Sequence, residues 1–136
     1  MDDLEGALWL EPSLRELVRV RTAQLTGCAT SLARHAGEAI ELGESPRRLA
    51  VLSTWRRSSL FTDRERAALE LAEAVALLPG GRAVASTGRR AASRFEEREL
   101  AQLVFACVAA NASDRLELAI EGIERSTDAE LRSRGT

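Results

Sequence analysis

Residues 26–35, Thr-Gly-Cys-Ala-Thr-Ser-Leu-Ala-Arg-His, contain the turn from which a helical fold can be predicted. Gly27 is the residue type that most often follows the last turn of a helix, and apolar residues recur at helical spacing on both sides of it. A first helix, capped by Ser13, therefore ends at this glycine, and a second helix runs from about Cys28 to Leu42. The stretch predicts two consecutive helices joined by a tight turn.

Signals for the start of a helix recur further along the chain. Ser45-Pro46 combines a capping residue with a proline in the first turn, and Thr62 with Glu65 forms a capping box. These signals predict a third helix that continues through Trp55 and a fourth helix that begins behind the capping box. Residues 82–94, rich in Ala and Arg, predict a short fifth helix.

The last predicted helix begins near Glu96 and is the longest. No run of alternating apolar and polar residues is long enough to predict a strand. The sequence therefore predicts an all-α fold, a single domain over residues 1–136 with about six helices and a core over about 14–123. The polar tail, residues 126–136, is expected to be frayed. The apolar stripe of the last helix is predicted to consist of Leu100, Val104, Cys107, Val108 and Asn111.

The composition fits one folded domain and argues against several classes of partner. The chain has 136 residues, of which 45% are hydrophobic and 29% charged, as in a folded domain. All 19 basic residues are arginines, which excludes Schiff-base chemistry on a lysine. The formal charge of −2 provides no basic excess, so we expect no nucleic acid and no membrane as partner. The acidic first residues and the lack of a long apolar run predict a cytoplasmic protein.

Two cysteines and one histidine limit the redox and metal chemistry. Cys28 and Cys107 are far apart in the sequence, so neither a disulfide framework nor a multi-cysteine zinc site is predicted. Cys107 belongs to the apolar stripe of the last helix, where a buried core position is expected. Because His35 is the only histidine, a metal site within one protomer could use only His35 together with carboxylates. We predict neither a metal site nor a cofactor.

Three side chains of the second helix are predicted to lie on one face. At about 100° per residue, positions 28, 31 and 35 fall within roughly 60° of arc. Cys28 is predicted in the first turn, where free backbone N–H groups and the helix dipole favour a thiolate. The Ser31 hydroxyl can donate a hydrogen bond toward that sulfur, and His35 lies one turn further on. Glu16 is a charged residue on the preceding helix.

Each of these four side chains also has a purely structural interpretation. A lone Cys28 is most often a small buried apolar residue, and a lone His35 is an ordinary helix residue that a neighbour satisfies. Glu16 can pair with Arg19 on the same helix face. Ser31 is a packed or hydrogen-bonding residue, because the chain lacks the oxyanion signals of a hydrolase.

Together, the four residues resemble the active site of a known family. Glu16, Cys28, Ser31 and His35 match, with one exception, the Glu…Cys-x-x-Cys-x-x-x-His site of the alkylhydroperoxidase D (AhpD)-like, carboxymuconolactone decarboxylase family. The resemblance covers nearly the whole chain, from about Leu14 to Ile120. The segments that carry it are residues 14–21, 24–29, 55–56, 60–69, 95–100 and 111–115.

The resemblance implies a helical fold, self-association into trimers or hexamers, and thiol-dependent reduction of hydroperoxides. In redox-active members the second cysteine attacks the peroxide and the first closes a disulfide, while Glu and His pass protons, a role that falls here to Glu16 and His35. The second cysteine is Ser31 in this chain, and a hydroxyl forms neither a sulfenic acid nor a disulfide. A frequent family tryptophan is also replaced, by Ser113. The two-cysteine cycle is therefore excluded.

Three functions remain open at this point. The first is an AhpD-like peroxidase or antioxidant protein with Cys28 as thiolate, Glu16 and His35 as proton relay, a hydroperoxide as substrate and an external thiol as reductant. The second is a catalytically inactive member that serves as a binding or scaffold protein. The third is a lactone decarboxylase, which uses acid–base chemistry without a cysteine pair. Trp55 is expected to pack in the core or to anchor a subunit contact on an exposed face.

Overall fold

Six α-helices and one 3₁₀ helix form the part of the chain that the structure describes, residues 10–77 and 81–135 of a computed structural model. No strand occurs in these residues, so the all-α prediction is confirmed. None of the described helices is long and apolar enough to cross a membrane. The elements are α1 (Pro12–Thr26), α2 (Ala29–Glu41), α3 (Pro46–Ala50), the 3₁₀ helix (Leu52–Arg57), α4 (Asp63–Leu77), α5 (Gly81–Ala92) and α6 (Glu97–Arg134).

The turn between α1 and α2 has the predicted form. Gly27 adopts the left-handed conformation, with φ at 77°, and its N–H donates to the carbonyl of Ala23 over 3.0 Å. A residue with a Cβ is strained at this φ, whereas glycine adopts it freely. Cys28 follows immediately in an extended conformation and is the N-cap of α2. The glycine thus reverses the chain within two residues and sets α2 against α1.

Side-chain caps fix the starts of three further helices. The Ser45 hydroxyl accepts a hydrogen bond from the N–H of Arg47 over 3.2 Å at the start of α3. Thr62 and Glu65 exchange both bonds of a capping box, over 2.8 and 3.1 Å, before α4. Glu96 and Glu99 form a second capping box at the start of α6. Because each box satisfies N–H groups that the helix itself leaves free, local sequence determines where these helices begin.

Two predicted helix boundaries were wrong. Glu11, rather than Ser13, is the N-cap of α1, because Pro12 occupies the first helical position that its fixed φ favours. The predicted third helix is divided, with α3 ending at Ala50 and a 3₁₀ helix beginning at Leu52. The division lets Leu52 and Trp55 both enter the core, where each is buried.

The core is organised around α1, which packs against α2, α4 and α6. Leu17 and Val18 of α1 are completely buried, and so are Leu52, Leu69 and Leu103 from three surrounding elements. A helix that is buried on several sides has a broad apolar surface rather than a narrow stripe. The core therefore holds rigidly the helix from which Glu16 projects.

The predicted stripe of α6 was wrong in part. Val104 and Val108 are 41% and 51% exposed, whereas Cys107 and Asn111 are buried as predicted. The buried face contains small residues next to Leu103, including Ala106 and Ala110, that allow close approach to the core, whereas Val104 and Val108 face outward. The helix continues to Arg134, and residues 122–135 are exposed on every side, so fraying of the tail stays a prediction.

Trp55 lies in the core, not on an exposed face. Its indole N–H donates to Glu73 Oε1 over 2.8 Å, and Arg21 and Arg56 also bind this carboxylate. Burial acts to raise the pKa of Glu73, but the hydrogen bonds from Arg56, Trp55 and Arg21 outweigh it and hold the pKa below its ordinary value. Glu73 therefore joins α1, the 3₁₀ helix and α4 as a buried carboxylate.

Candidate functional site

The thiol of Cys28 is placed at the boundary between α2 and α6. Cys28 is completely buried, and its side chain makes no capping hydrogen bond to α2. Its Sγ instead donates to Oε2 of Glu117, on α6, over 3.6 Å. The residue is the N-cap rather than part of the first turn, so the predicted position was nearly right. The partner of the sulfur is an acidic side chain that the sequence did not indicate.

Ser31 shares this partner. It is completely buried, and its hydroxyl donates to the same Glu117 Oε2 over 3.0 Å, rather than to the sulfur as expected. The other carboxylate oxygen, Oε1, accepts a hydrogen bond from Arg34 over 3.1 Å. One carboxylate thus bridges Cys28 and Ser31, the two positions that hold cysteines in the family motif.

Glu117 is one of three acidic residues that α6 presents to the start of α2. Asp114 accepts a hydrogen bond from Thr26 over 2.8 Å, and Glu121 accepts one from Thr30 over 3.2 Å. Residues 114, 117 and 121 share one face of a helix, and this spacing is the sequence signal that could have indicated the contact. The pairing with Ser31 spans 86 residues, so only the tertiary structure identifies it.

The charge of Glu117 determines the electrostatics around Cys28. The hydrogen bond from Ser31 lowers the pKa of the Glu117 carboxyl, the loss of surrounding water opposes this, and the charge of Arg34 lowers it further. The pKa therefore lies below its ordinary value, and Glu117 is a carboxylate at neutral pH. An oxygen of this carboxylate lies 3.6 Å from the sulfur of Cys28.

Glu16 and His35 form a second pair in the candidate site. Glu16 is buried, and its Oε2 lies 2.8 Å from Nδ1 of His35, while its Oε1 binds Arg19. Glu38 lies 3.3 Å from the same ring nitrogen. Because ionised carboxylates only accept hydrogen bonds, Nδ1 is the donor in both contacts, and Nε2 is the ring nitrogen that takes no part in them. The tertiary structure thus joins two residues that lie 19 positions apart.

The four predicted site residues therefore form two pairs. Cys28 and Ser31 meet at Glu117, and Glu16 meets His35. Ser31 and His35 are one turn apart on α2, but no hydrogen bond joins the two pairs in residues 10–77 and 81–135. The sulfur of Cys28 thus lies beside the Glu117 carboxylate at the start of α2. The imidazole of His35 lies further along the same helix and is hydrogen-bonded to Glu16 of α1.

The second pair also contains groups that can bind a metal. One ligand atom each from Glu16, His35 and Glu38 lies within 4.8 Å of the others. The guanidinium of Arg19 already binds Glu16 and opposes a cation at this place. The hydrogen bonds account for the arrangement of these side chains without an ion.

Cys107 provides a contrast to Cys28. It is completely buried in the core, and burial raises the pKa of its thiol to about 12. Such a thiol is protonated at neutral pH and surrounded by apolar side chains, which makes it inert. Cys28, in contrast, has the polar groups of Glu117 beside its sulfur.

Comparison with known proteins supports the resemblance seen in the sequence. The sequence profile of the carboxymuconolactone decarboxylase family matches residues 1–74, a span that contains Glu16, Cys28, Ser31 and His35. The uncharacterized protein YdfG of Bacillus subtilis is 30% identical over 106 residues, which cover 78% of this chain and 72% of YdfG. The uncharacterized protein YnjA of Escherichia coli is 34% identical over 112 residues, 82% of this chain and 61% of YnjA.

A solved structure supports the same relationship. The crystal structure of ATU0492 from Agrobacterium tumefaciens, a protein of unknown function, matches with a TM-score of 0.76 and 26% sequence identity. The match covers 81% of this chain and 75% of the other. A role as the antioxidant defence protein AhpD has been suggested for that protein.

Proposed function

This chain belongs to the carboxymuconolactone decarboxylase family, and from that premise we propose that it reduces hydroperoxides with a single redox cysteine, Cys28. The observation that carries the proposal is that Cys28 caps the start of α2, the helix that carries His35, and that the His35 ring is hydrogen-bonded to Glu16 of α1. The suggested antioxidant role of the similar Agrobacterium protein supports it. The raised pKa of Cys107 argues against that thiol, so the proposal places the reaction on Cys28.

The first half of the reaction oxidises Cys28. Because no hydrogen bond joins Cys28 to His35, the proton of the thiol passes through water to Nε2 of His35, and the thiolate attacks one oxygen of the hydroperoxide. A sulfur–oxygen bond forms as the oxygen–oxygen bond breaks, and the imidazolium returns the proton to the departing alkoxide. The hydroperoxide is reduced to an alcohol, and the sulfur is oxidised by two electrons to a sulfenic acid.

The second half needs an external thiol, because Ser31 cannot supply a resolving sulfur. One molecule of the thiol attacks the sulfenic acid, forms a mixed disulfide with Cys28 and releases water. A second molecule attacks the mixed disulfide and leaves as the oxidised disulfide, and Cys28 returns to the thiol. The cycle consumes one hydroperoxide and two thiols.

Glu16 has a positioning role in this proposal. Its hydrogen bond to Nδ1 fixes the tautomer in which Nε2 is basic, and its negative charge stabilises the imidazolium that forms when the thiol is deprotonated. Arg19 and the surrounding core hold the carboxylate in place. The pair thereby supplies and removes protons without being consumed.

Access to the buried thiol depends on Glu117. Its side chain is in contact with Sγ and is tied to Arg34 through a partly exposed ion pair, which contributes little to stability. Rotation of Glu117 toward solvent opens a path to the sulfur and removes a negative charge from its side. In this proposal Glu117 shields the Cys28 thiol in the resting structure, and Glu117 is displaced from the sulfur in the reactive state.

A non-catalytic role is the second candidate, and the complete burial of Cys28 favours it. In that case Cys28 and Ser31 bind Glu117 only to hold α6 against α2. Acid–base catalysis by Glu16 and His35 alone, as in a lactone decarboxylase, is a third outcome. Peroxide chemistry on the sulfur separates the first candidate from the other two.

The test is a brief peroxide pulse on the intact protein, followed by mass measurement of the peptides that contain Cys28 and Cys107. We expect one added oxygen on Cys28 and none on Cys107 in the folded protein. With an external thiol present, Cys28→Ser should abolish peroxide consumption, whereas the matched control Cys107→Ser should retain it. A folded protein in which Cys28 stays unoxidised would exclude the peroxidase function and leave the scaffold role.

A further inference from the structure

A groove of about 510 Å³ lies between the 3₁₀ helix, the first half of α4 and the end of α5. Trp55 and Ala67, which are buried, form its floor, and charged side chains form its walls. None of the described residues that line it belongs to α1, α2 or α6, the helices that build the Cys28 site. We call it the arginine groove, because its lining includes Arg56, Arg66, Arg90 and Arg94.

The arginine groove carries an excess of positive charge. Against its four guanidiniums, its described lining contains two carboxylates, those of Asp63 and Glu70. Glu73, a buried carboxylate outside the lining, binds Arg56 but also binds Arg21, so the charges of Glu73 and Arg21 cancel. The start of α4 and the end of α5 both border the groove, and their helix dipoles oppose each other there. Four positive and two negative charges leave an excess of two, in a chain whose formal charge is −2.

Two of the arginines are held in place before any ligand binds. Arg66 donates three hydrogen bonds, over 3.0–3.1 Å, to backbone carbonyls of the 3₁₀ helix and of Ser58 behind it. The guanidinium carbon of Arg56 lies 4.3 Å from the centre of a Trp55 ring, and that of Arg66 lies 5.2 Å from it. A ligand that meets groups already in position loses less of its binding free energy to ordering them.

The other two arginines keep N–H groups for a ligand. The ion pair of Arg94 with Asp63 spans 3.6 Å, too long for a hydrogen bond, and both side chains are more than half exposed. Arg90 binds Glu70 through Nε and Nη2, so its Nη1 has no partner among the described residues. Because exposed ion pairs contribute little to stability, a bound anion can draw Arg94 away from Asp63 at little cost.

We propose that the arginine groove binds a small organic dianion, a ligand that joins a phosphate group or a pair of carboxylates to a short apolar body. Its two charges match the excess of the lining, and guanidiniums bind both kinds of oxyanion through paired N–H groups. The floor of Trp55 and Ala67 is the contact surface for the apolar body. The volume of the groove lies within the range of small-molecule sites, about 300–1,000 Å³, and exceeds what a single inorganic phosphate fills.

Binding in the arginine groove is separate from the chemistry of Cys28. The groove is built by the 3₁₀ helix, α4 and α5, and its arginines take no part in the hydrogen bonds that join Cys28 and Ser31 to Glu117 or His35 to Glu16. Failure of the peroxidase proposal therefore leaves this proposal unaffected, and the reverse also holds.

Calorimetric titration of the intact protein at about pH 7.5 tests the proposal with two probes, phenyl phosphate and phthalate, both dianions at that pH. Each joins a benzene ring to two negative charges, carried by a phosphate or by two carboxylates. We expect one site per chain and a dissociation constant below about 1 mM for at least one probe. The probe that binds more tightly identifies which oxyanion the groove recognises. Benzyl alcohol, which has the ring but no charge, should not bind.

Paired substitutions locate the site. Arg90→Gln with Arg94→Gln should weaken binding of the tighter probe about tenfold or more, because two charged donors are lost. The matched control is Arg57→Gln with Arg89→Gln, which removes two exposed arginines of the 3₁₀ helix and α5 that do not line the groove. The control should change the dissociation constant by less than about twofold, because salt screens charges outside the groove.

Asp63→Asn should have the opposite effect. The change removes the carboxylate that competes for Arg94, so the tighter probe should bind several-fold more tightly than to the parent. The proposal is overturned if neither probe binds, if the two double variants weaken binding equally, or if Asp63→Asn leaves the affinity unchanged.

Discussion

At the scale of single residues, Cys28 and Ser31 share one hydrogen-bond acceptor, Glu117 Oε2. The family motif places cysteines at both positions, and here the second is a hydroxyl that strengthens the hold on Glu117. The sulfur of Cys28 is therefore buried and faces the carboxylate of Glu117. Reactive cysteines normally lie in electropositive, partly exposed surroundings, so the environment of Cys28 is different.

Glu117→Gln tests whether this carboxylate suppresses the reactivity of Cys28. The amide keeps the size of the side chain and an acceptor oxygen but removes the negative charge, so alkylation of Cys28 by iodoacetamide near pH 7 should become several-fold faster. Glu121→Gln, one turn further along α6, is the matched control and should leave the rate unchanged. Slower alkylation of the Glu117→Gln variant would show instead that the carboxylate removes the thiol proton.

Ser31→Cys tests what the missing sulfur contributes. The change replaces oxygen with sulfur at a buried position three residues after Cys28, close enough for a disulfide without large backbone movement. We expect peroxide consumption with a dithiol reductant to rise about tenfold or more over the parent, since the new thiolate attacks and Cys28 resolves it. A further Glu16→Gln or His35→Ala change should lower it again.

Ser31→Ala is the control for this gain, because it removes the hydrogen bond to Glu117 without adding a sulfur. It should leave the parent rate of dithiol-dependent consumption far below that of Ser31→Cys. Equal rates for parent and Ser31→Cys would mean that Cys28 suffices alone. A folded variant that forms the disulfide but gains no turnover would argue against peroxidase chemistry in this chain.

At the scale of secondary-structure elements, one carboxylate connects three helices. Glu73 of α4 accepts hydrogen bonds from Trp55 and Arg56 of the 3₁₀ helix and from Arg21 of α1. Its side chain is nearly inaccessible to water, so the loss of its charge would leave two arginines without their partner. The position of the 3₁₀ helix on the core depends on this contact.

Glu73→Gln should lower the free energy of unfolding at pH 7 by about 2 kcal/mol, because a neutral amide cannot replace two charged hydrogen bonds. The pKa of Glu73 is lower in the folded chain than in the unfolded one, so its stabilisation is present above the unfolded value and lost as the pH falls through the folded value. Urea denaturation of parent and variant from pH 7 to pH 3 should therefore give a difference that shrinks toward acid pH.

Glu70→Gln is the matched control for this prediction. Glu70 lies on the same helix and pairs with Arg90, but the ion pair is partly exposed. Loss of the Glu70–Arg90 ion pair should lower the free energy of unfolding by less than about 1 kcal/mol. A difference between parent and Glu73→Gln that stays constant down to pH 3 would mean that charge at Glu73 contributes nothing.

At the scale of the whole molecule, the two sides of α6 differ in character. One side closes the core and carries the acidic residues that reach the start of α2, and the other side exposes apolar side chains such as Phe105 and Leu116. The family fold is retained, whereas the sulfur at position 31 is not. A fold is maintained by its core, while an activity depends on a few side chains, so the two can separate.

Local patterns in the sequence predict the helices, most of their ends and the positions of the candidate site residues along them. Gly27, Ser45 and the Thr62–Glu65 box act on neighbouring backbone groups, so their effects are local and can be deduced from spacing. The placement of Cys28, Ser31 and His35 along α2 is local for the same reason.

Only the tertiary structure decided which groups meet across the fold. The exposure of Val104 and Val108 depends on how closely Ala106 and Ala110 approach the core, which an apolar pattern alone does not distinguish. Glu117 meets Cys28 across 89 residues, and Trp55 meets Glu73 through a helix that divides after Ala50. Contacts of this kind depend on the packing of whole helices against one another, and no local spacing in the chain encodes them.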